Sequence, residues 1–249
     1  MEVTALVLGG YGINADAELA EAFARAGARP RRLHVADLAA DPGLLAGARI
    51  LAFPGGFSYG DHLGSGQVLA LLCRDRLRAA LVRFVADGGL VIGICNGFQV
   101  LVRMGMLPNR DGAWGREVSL IRNESGRFVD GWFPLAFDER SRCVWTRGLA
   151  GRDFPVRHGE GRFVARDDSV LDALEAEGLV AARYVGRGPN GSARGIAGIC
   201  DPSGRVFGLM PHPECFLDLE NHPSRRRACR DETGIALFEN GVRAARESA

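Results

Sequence analysis

The stretch "VIGICNGFQVL", residues 91–101, decides the fold. Its first half is an unbroken apolar run of strand length, and after Cys95 the apolar residues resume with a different rhythm. "GICNG" has the form G-x-C-x-G, the cysteine version of the tight strand-to-helix elbow that lifts a nucleophile above a sheet. Gly93 and Gly97 leave the room such a turn needs. A helix beginning at Asn96 points its amino-terminal dipole at the sulfur, which favours thiolate, and the adjacent backbone N–H can serve an oxyanion. A lone cysteine there also reads as a buried structural thiol, but the paired glycines at a strand end favour the elbow.

Working outward, "VTALVLGG" reads as a buried strand and "ADAELAEAFARAGA" as a helix ending at Gly27. "PRRLHVAD" and "ARILAFPGG" read as further strands, and "SGQVLALLCRDRLRAALVRFVADGG" as one long helix leading into "LVIGIC". Strands alternating with helices point to a mainly parallel sheet covered on both faces, with sites at the carboxyl ends of the strands. After about residue 110 the texture changes to short strands: "REVSLIRN", "GRFVDGWFPLAF", "RCVWTRG", "FPVRHGEGRFV", "LVAARYV" and "IAGICDPSGRVFGLMPHPE". The helix-like "DDSVLDALEAEG" interrupts them, and "DETGIALFENGVRAARES" closes the chain as a helix. No linker rich in Pro, Gly and Ser divides the two textures, so residues 1–249 are expected to form a single α/β domain with a mixed sheet.

A net charge of +1 gives no reason to expect nucleic acid or an acidic membrane as partner. "EVTALVLGGYG" follows Met1 without a basic leader, and no apolar run approaches the roughly 20 residues of a span, so a cytoplasmic protein is expected. Six widely spaced cysteines without a C-x-x-C pair read as reduced thiols. All 31 basic residues are arginine, which excludes a lysine Schiff base and a Walker A lysine from this chain.

A thiol nucleophile needs a base, and "GLMPHPE" offers one: His212 stands just after an expected strand, between two prolines, with Glu214 two residues on. Side chains two apart in an extended segment share a side, so Glu214 can hold the imidazole in its working tautomer. Among the other histidines, His34 reads as a core residue within a strand, while His62, His158 and His222 read as substrate or surface groups. "AFPGGFSYGD", residues 52–61, adds a strand end followed by paired glycines, whose N–H groups can approach an oxyanion closely.

Taken together, "PGGFSYGD", "GICNGFQVL", "RNESGRF", "HGEGRF", "PNGS…GIAGI" and "GLMPHPE" are similar to the glutaminase subunits of phosphoribosylformylglycinamidine synthases. That family belongs to the class I glutamine amidotransferases, and the likeness covers roughly residues 3–214 in the family's order. The resemblance implies a flavodoxin-like three-layer α/β fold with a mixed, mainly parallel central sheet. It implies that Cys95 attacks the amide of glutamine, that His212 is general base and acid, and that Glu214 orients His212. Backbone N–H groups of Gly56 and Asn96 would hold the oxyanion, with Gly55 also open, and Phe57, Gln99, His158 and Glu160 would contact glutamine. No metal or cofactor is implied for this chain; ATP and magnesium are expected on a larger synthetase partner that amidates formylglycinamide ribonucleotide, with a small accessory subunit in some assemblies. Two departures stand out: Gly64 occupies a position where many relatives carry a basic residue, and "CFLDLENHPSRRRACRDE" after Glu214 does not follow the common form.

Other readings compete. "GGYGINA", residues 9–15, contains G-x-G-x-x-A with Asp37 beyond it, a short dinucleotide-type fingerprint that also reads as a turn beside the active site. Cys215, His212 and His222 could bind zinc but lack the paired spacing of structural sites. An independent cysteine hydrolase or peptidase would share the elbow without needing the downstream motifs. A non-catalytic scaffold for the synthetase would not need Cys95, His212 and Glu214 together.

Overall fold

The computed structural model describes residues 2–224 and 233–248. The first-half apolar runs form β1 (Thr4–Gly9), β2 (Arg29–His34), β3 (Ile50–Phe53) and β4 (Leu90–Ile94), all parallel. The second half contributes β5 (Val118–Ile121), β6 (Val129–Phe137), β7 (Arg152–His158), β8 (Arg162–Ala165), β9 (Val180–Tyr184), β10 (Ile196–Cys200) and β11 (Val206–Leu209). One nine-stranded sheet draws on both halves, in the order β2-β1-β3-β4-β11-β10-β9-β6-β7. The first five of these strands are parallel and the remainder pair antiparallel, while β5 and β8 make a separate two-stranded ribbon. The sheet is mixed, as the sequence implies.

β4 lies inside the parallel region and is buried along its whole length, which explains why it reads as an unbroken apolar run rather than an alternating one. β2, at the opposite extreme, is an edge strand with Arg29, Arg31 and Arg32 exposed, a charged margin that resists pairing with another chain. The helices are α1 (Asp16–Arg25), α2 (Val35–Ala40), α3 (Gln67–Arg76), α4 (Arg78–Ala86), α5 (Asn96–Arg103), α6 (Asp168–Ala176) and α7 (Ile235–Glu247). The β1–α1–β2 connection steps outward and the β3–α3–α4–β4 connection steps inward, so right-handed crossovers put their helices on opposite faces. Accordingly α1 packs with α7, and α3 packs with α2 and α5. Phe23 of α1 meets Phe238 of α7 edge-on at 5.2 Å and Trp145 at 6.3 Å.

Three expectations need correction. The single long helix is two: α3 ends at Arg76 and α4 begins at Arg78, with Leu77 between them at φ −115°. The halves pack on different neighbours, α3 on α5 and α4 against β4 and the turn at Pro42–Leu45, and the bend lets both rows of leucines reach the core. "RCVWTRG" is not a strand. Trp145 is buried beneath α7, and the side-chain amide of Asn240 takes the Trp145 and Arg147 carbonyls that a neighbouring strand would otherwise use. His34 is not a core residue either; it ends β2, and its Nδ1 accepts from Ala36 N–H to cap α2. The closing helix starts at Ile235, and Asp231 and Glu232 of the expected start lie outside the described residues. No helix among the described residues is long and apolar enough to cross a membrane.

Candidate active site

Three neighbouring parallel strands, β3, β4 and β11, end side by side, and the loop after each carries one part of the candidate site. Cys95 follows β4 directly, at φ 51° and ψ −106°, a backbone conformation that costs a non-glycine residue about 1–3 kcal/mol. The surroundings hold it there. Cys95 N–H donates to Leu209 O at 2.8 Å, and a side chain at Gly97 would run into the Phe53 carbonyl. α5 then starts at Asn96 with its amino end at the thiol, as the elbow reading expects.

The loop after β11 brings His212 and Glu214. His212 Nδ1–H donates to Glu214 Oε1 at 2.6 Å, and both side chains are buried. His212 N–H also donates to Pro155 O at 2.8 Å, tying this loop to β7 as the sheet curls round. Gly55 fits beside the imidazole and the thiol: a Cβ there would lie 2.9 Å from His212 Cε1 and 3.6 Å from Cys95 Cβ. Burial alone pushes the His212 pKa down, but the charge of Glu214, then the Cys95 and Cys215 sulfurs beside the ring, outweigh it and hold the group well above the ordinary histidine value. An imidazolium held against a carboxylate is the proton donor that a departing amine requires.

The loop after β3 carries Gly56, at φ 143°, where a Cβ would come within 2.6 Å of Gly12 O and 2.8 Å of Ile13 Cα. Only glycine fits this position. Phe57 N–H donates to Gly12 O at 2.8 Å and locks the loop to the β1–α1 turn. The Gly56 and Asn96 N–H groups have no acceptor among the described residues, so both are free for an oxyanion. The "GGYGINA" turn does not present a phosphate cradle, because Asn14 and Ala15 N–H donate to Gly55 O at 3.4 and 3.3 Å. It is instead the outer wall of the oxyanion loop.

These parts border one cavity of about 260 Å³, which brings together Gly56, Phe57, Cys95, Gln99, His158, Glu160 and His212. Phe57 is half exposed at its mouth. Gln99 borders the space with its amide engaged: Nε2 donates to Glu160 O at 2.6 Å, and Oε1 accepts from Asn96 Nδ2 at 3.0 Å. Glu160 Oε2 accepts from Ser65 N–H and lies 3.8 Å from Arg103, which covers Gly64. A guanidinium from α5 therefore stands over Gly64.

Sequence reasoning did not single out Asp61 and Asn123. Asp61 accepts from Ser65 Oγ, Gly66 N–H and Asn96 Nδ2, and burial raises its pKa. Asn123 ties the "HGEG" loop together from "RNESGRF"; both residues lie in quoted motifs, but their partners become visible only in the fold. His158 is buried, and burial followed by the charge of His212 pushes its pKa down to about 4. His222 does not join His212 and Cys215: its ring packs on Trp132 at 4.6 Å and its Nε2 lies 3.4 Å from Asp153 Oδ2. The ligand atoms of His212, Glu214 and Cys215 do lie within 4.8 Å of one another, with the imidazole and carboxylate already bonded together. His62 is exposed away from the cavity, and Cys229 lies outside the described residues.

Residues 2–243 match the family model described as a CobB/CobQ-like glutamine amidotransferase domain. A Dehalococcoides mccartyi protein named phosphoribosylformylglycinamidine synthase subunit PurQ is 41% identical over 99% of each chain. A Methanococcus maripaludis protein of the same name is 41% identical over 95% of each. A chain in the solved structure of PurLQS from Thermotoga maritima superposes with a TM-score of 0.76 at 31% identity, covering 98% of this chain and 99% of that one. The glutaminase domain of Trypanosoma brucei CTPS shares the fold at a TM-score of 0.58 and 16% identity, covering 98% of this chain and 94% of that one.

Proposed function

Because the chain belongs to the CobB/CobQ-like glutamine amidotransferase family, we propose that its cavity hydrolyses glutamine through a thioester on Cys95. The chain is a glutaminase subunit of phosphoribosylformylglycinamidine synthase, acting in purine biosynthesis. Cys95 Sγ attacks the side-chain amide carbon, and the oxyanion that forms is held by Gly56 and Asn96 N–H. His212 protonates the leaving nitrogen, ammonia departs, and His212 then takes a proton from the water that releases glutamate. Glu214 keeps Nδ1–H of His212 directed toward itself, so that Nε2 faces the reaction. Phe57, Gln99, His158 and Glu160 shape the glutamine site. The observation that carries this reading is the convergence on one cavity of a strained thiol, a buried histidine paired with Glu214 and the free N–H of Gly56, with the free N–H of Asn96 next to the thiol in the chain.

The ammonia is consumed on a larger synthetase subunit. ATP and magnesium belong there in this reading, with formylglycinamide ribonucleotide as acceptor and a small accessory subunit completing some assemblies. Support comes from this chain itself, which has no lysine and whose glycine-rich first turn spends the Ile13, Asn14 and Ala15 N–H groups on its own backbone. The test is Cys95→Ala in the reconstituted complex: glutamine-dependent amidation should vanish while amidation from added ammonia survives. Near-normal glutamate release by that variant overturns the assignment.

A further inference from the structure

The least explained polar atom in the cavity wall belongs to His158. Its Nε2 is buried and has no hydrogen-bond partner among the described residues, while its Nδ1 lies 3.1 Å from Asn123 Oδ1. Asn123 is itself buried, and its four contacts fix its orientation. Oδ1 also accepts from Gly161 N–H at 3.0 Å, and Nδ2 donates to the His158 and Arg127 carbonyls at 2.8 and 3.0 Å. A backbone N–H can only donate and a backbone carbonyl can only accept, so turning the amide over would break all three backbone bonds. Asn123 Oδ1 therefore faces the ring as an acceptor, and Nδ1 must carry the hydrogen. Nε2 is left with a lone pair.

The ring is also held in place. A side chain at Gly161 would run into it, so only glycine lets the loop close over this imidazole. Burial and the neighbouring charge on His212 keep His158 neutral, with its pKa pushed down to about 4. The strand that ends at His158 passes the nucleophile, since Arg157 O lies 3.9 Å from Cys95 Sγ. His158 thus lines the same cavity as Cys95 and His212, and all three are buried, whereas the carboxylate of Glu160 keeps part of its surface in solvent.

Taking the glutaminase reading above as its basis, we infer that His158 recognises the substrate's amide: its Nε2 accepts a hydrogen bond from the amide N–H, and Asn123 is the positioning residue that holds the required tautomer. The amide nitrogen is bonded to the carbon that Cys95 attacks, which places its hydrogens in this cavity. Glutamate offers only acceptor oxygens at neutral pH, so its carboxylate meets a lone pair instead of a donor. A site built to bond a substrate N–H rejects the analogue that lacks it. The same arrangement gives the product a reason to leave.

The first measurement reads the unaltered protein. Long-range 15N spectra of the full chain with labelled histidine at pH 7 should show His158 as the neutral Nδ1–H tautomer, assigned by loss of its signals in His158→Gln. An Nε2–H tautomer or a charged ring overturns the inference. In the complex with synthetase, His158→Phe should raise the KM for glutamine about tenfold, the worth of one hydrogen bond, while inhibition by glutamate stays equal or strengthens. A parallel weakening of both ligands overturns the proposal. Asn123→Leu should lose the Nδ1–H signature and shift the same ratio in the same direction; a retained signature with unchanged ratio removes Asn123 from the role. Failure of the wild-type complex to hydrolyse glutamine would sink the glutaminase reading itself, whereas normal hydrolysis with unchanged selectivity sinks only this inference.

Discussion

At the scale of single residues, the candidate site depends on positions where the backbone adopts a conformation that its neighbours must hold. Gly56→Ala places a Cβ 2.6 Å from Gly12 O at a φ of 143°, so the oxyanion loop must move. The variant should lose glutaminase activity and about 1–3 kcal/mol of stability. Ammonia-dependent amidation in the complex should persist; simultaneous loss of both activities would show that the loop serves assembly instead. Glu214→Gln retains the shape of the pair but not the charge that supports the imidazolium, and turnover should fall by ~10⁴, as in other triads deprived of their carboxylate. Glutamate release at the wild-type rate would exclude Glu214 from the mechanism. Cys95, His212 and Glu214 were legible because each sits in a short motif whose glycines or prolines are themselves informative. Asn123 was not, because its meaning comes from His158 and Gly161, brought to it by the hairpin of β6 and β7 and the loop that follows.

At the scale of elements, local pattern identified β1 to β4 and the alternation that makes a parallel sheet, since fully buried strands must be apolar throughout. It did not locate the break at Leu77, where no glycine or proline marks the bend and the cause is a change of packing partner. Nor did it show that "RCVWTRG" forms turns, because β-favouring Val144 donates its N–H to Gly204 O and the Trp145 carbonyl accepts from Asn240 of α7 rather than from a strand. That clasp can be tested. A side chain at Gly241 would run into the Trp145 ring, so Gly241→Ala should overpack the junction and cost about 1–3 kcal/mol. Thermal unfolding should begin earlier while the KM for glutamine stays put; a changed KM with unchanged stability would contradict this division of labour.

At the scale of the whole molecule, the two histidines that line the cavity give opposite dependences on pH. His158 has a folded pKa of about 4 against 6.5 for an ordinary histidine, so between these values the unfolded chain binds a proton that the native one refuses. Stability attributable to this group therefore falls on acidification across that window, by roughly 3 kcal/mol in total. His212 is raised instead; its contribution is complete below the ordinary histidine value and is lost only as pH climbs through the higher folded one. Of these two groups, only His158 contributes an acid-side slope. Urea unfolding at stepped pH from 7 to 4.5 should give a flatter curve for His158→Gln than for the parent, and superimposable slopes would contradict the assignment.

The placement of β11 beside β4 has a consequence for the chain as it is being made. Ile94 pairs with Leu209, so a ribosome that has released the elbow thiol must still add the whole second half before its imidazole exists. Until then β4 has no partner on that side, and a fully apolar strand stands as an open edge. One late strand therefore both seals the sheet and brings in the base that the proposed mechanism gives to Cys95. A nascent chain arrested before Val206 should pellet rather than stay dispersed, and its Cys95 should react with a glutamine-like electrophile no faster than its other thiols.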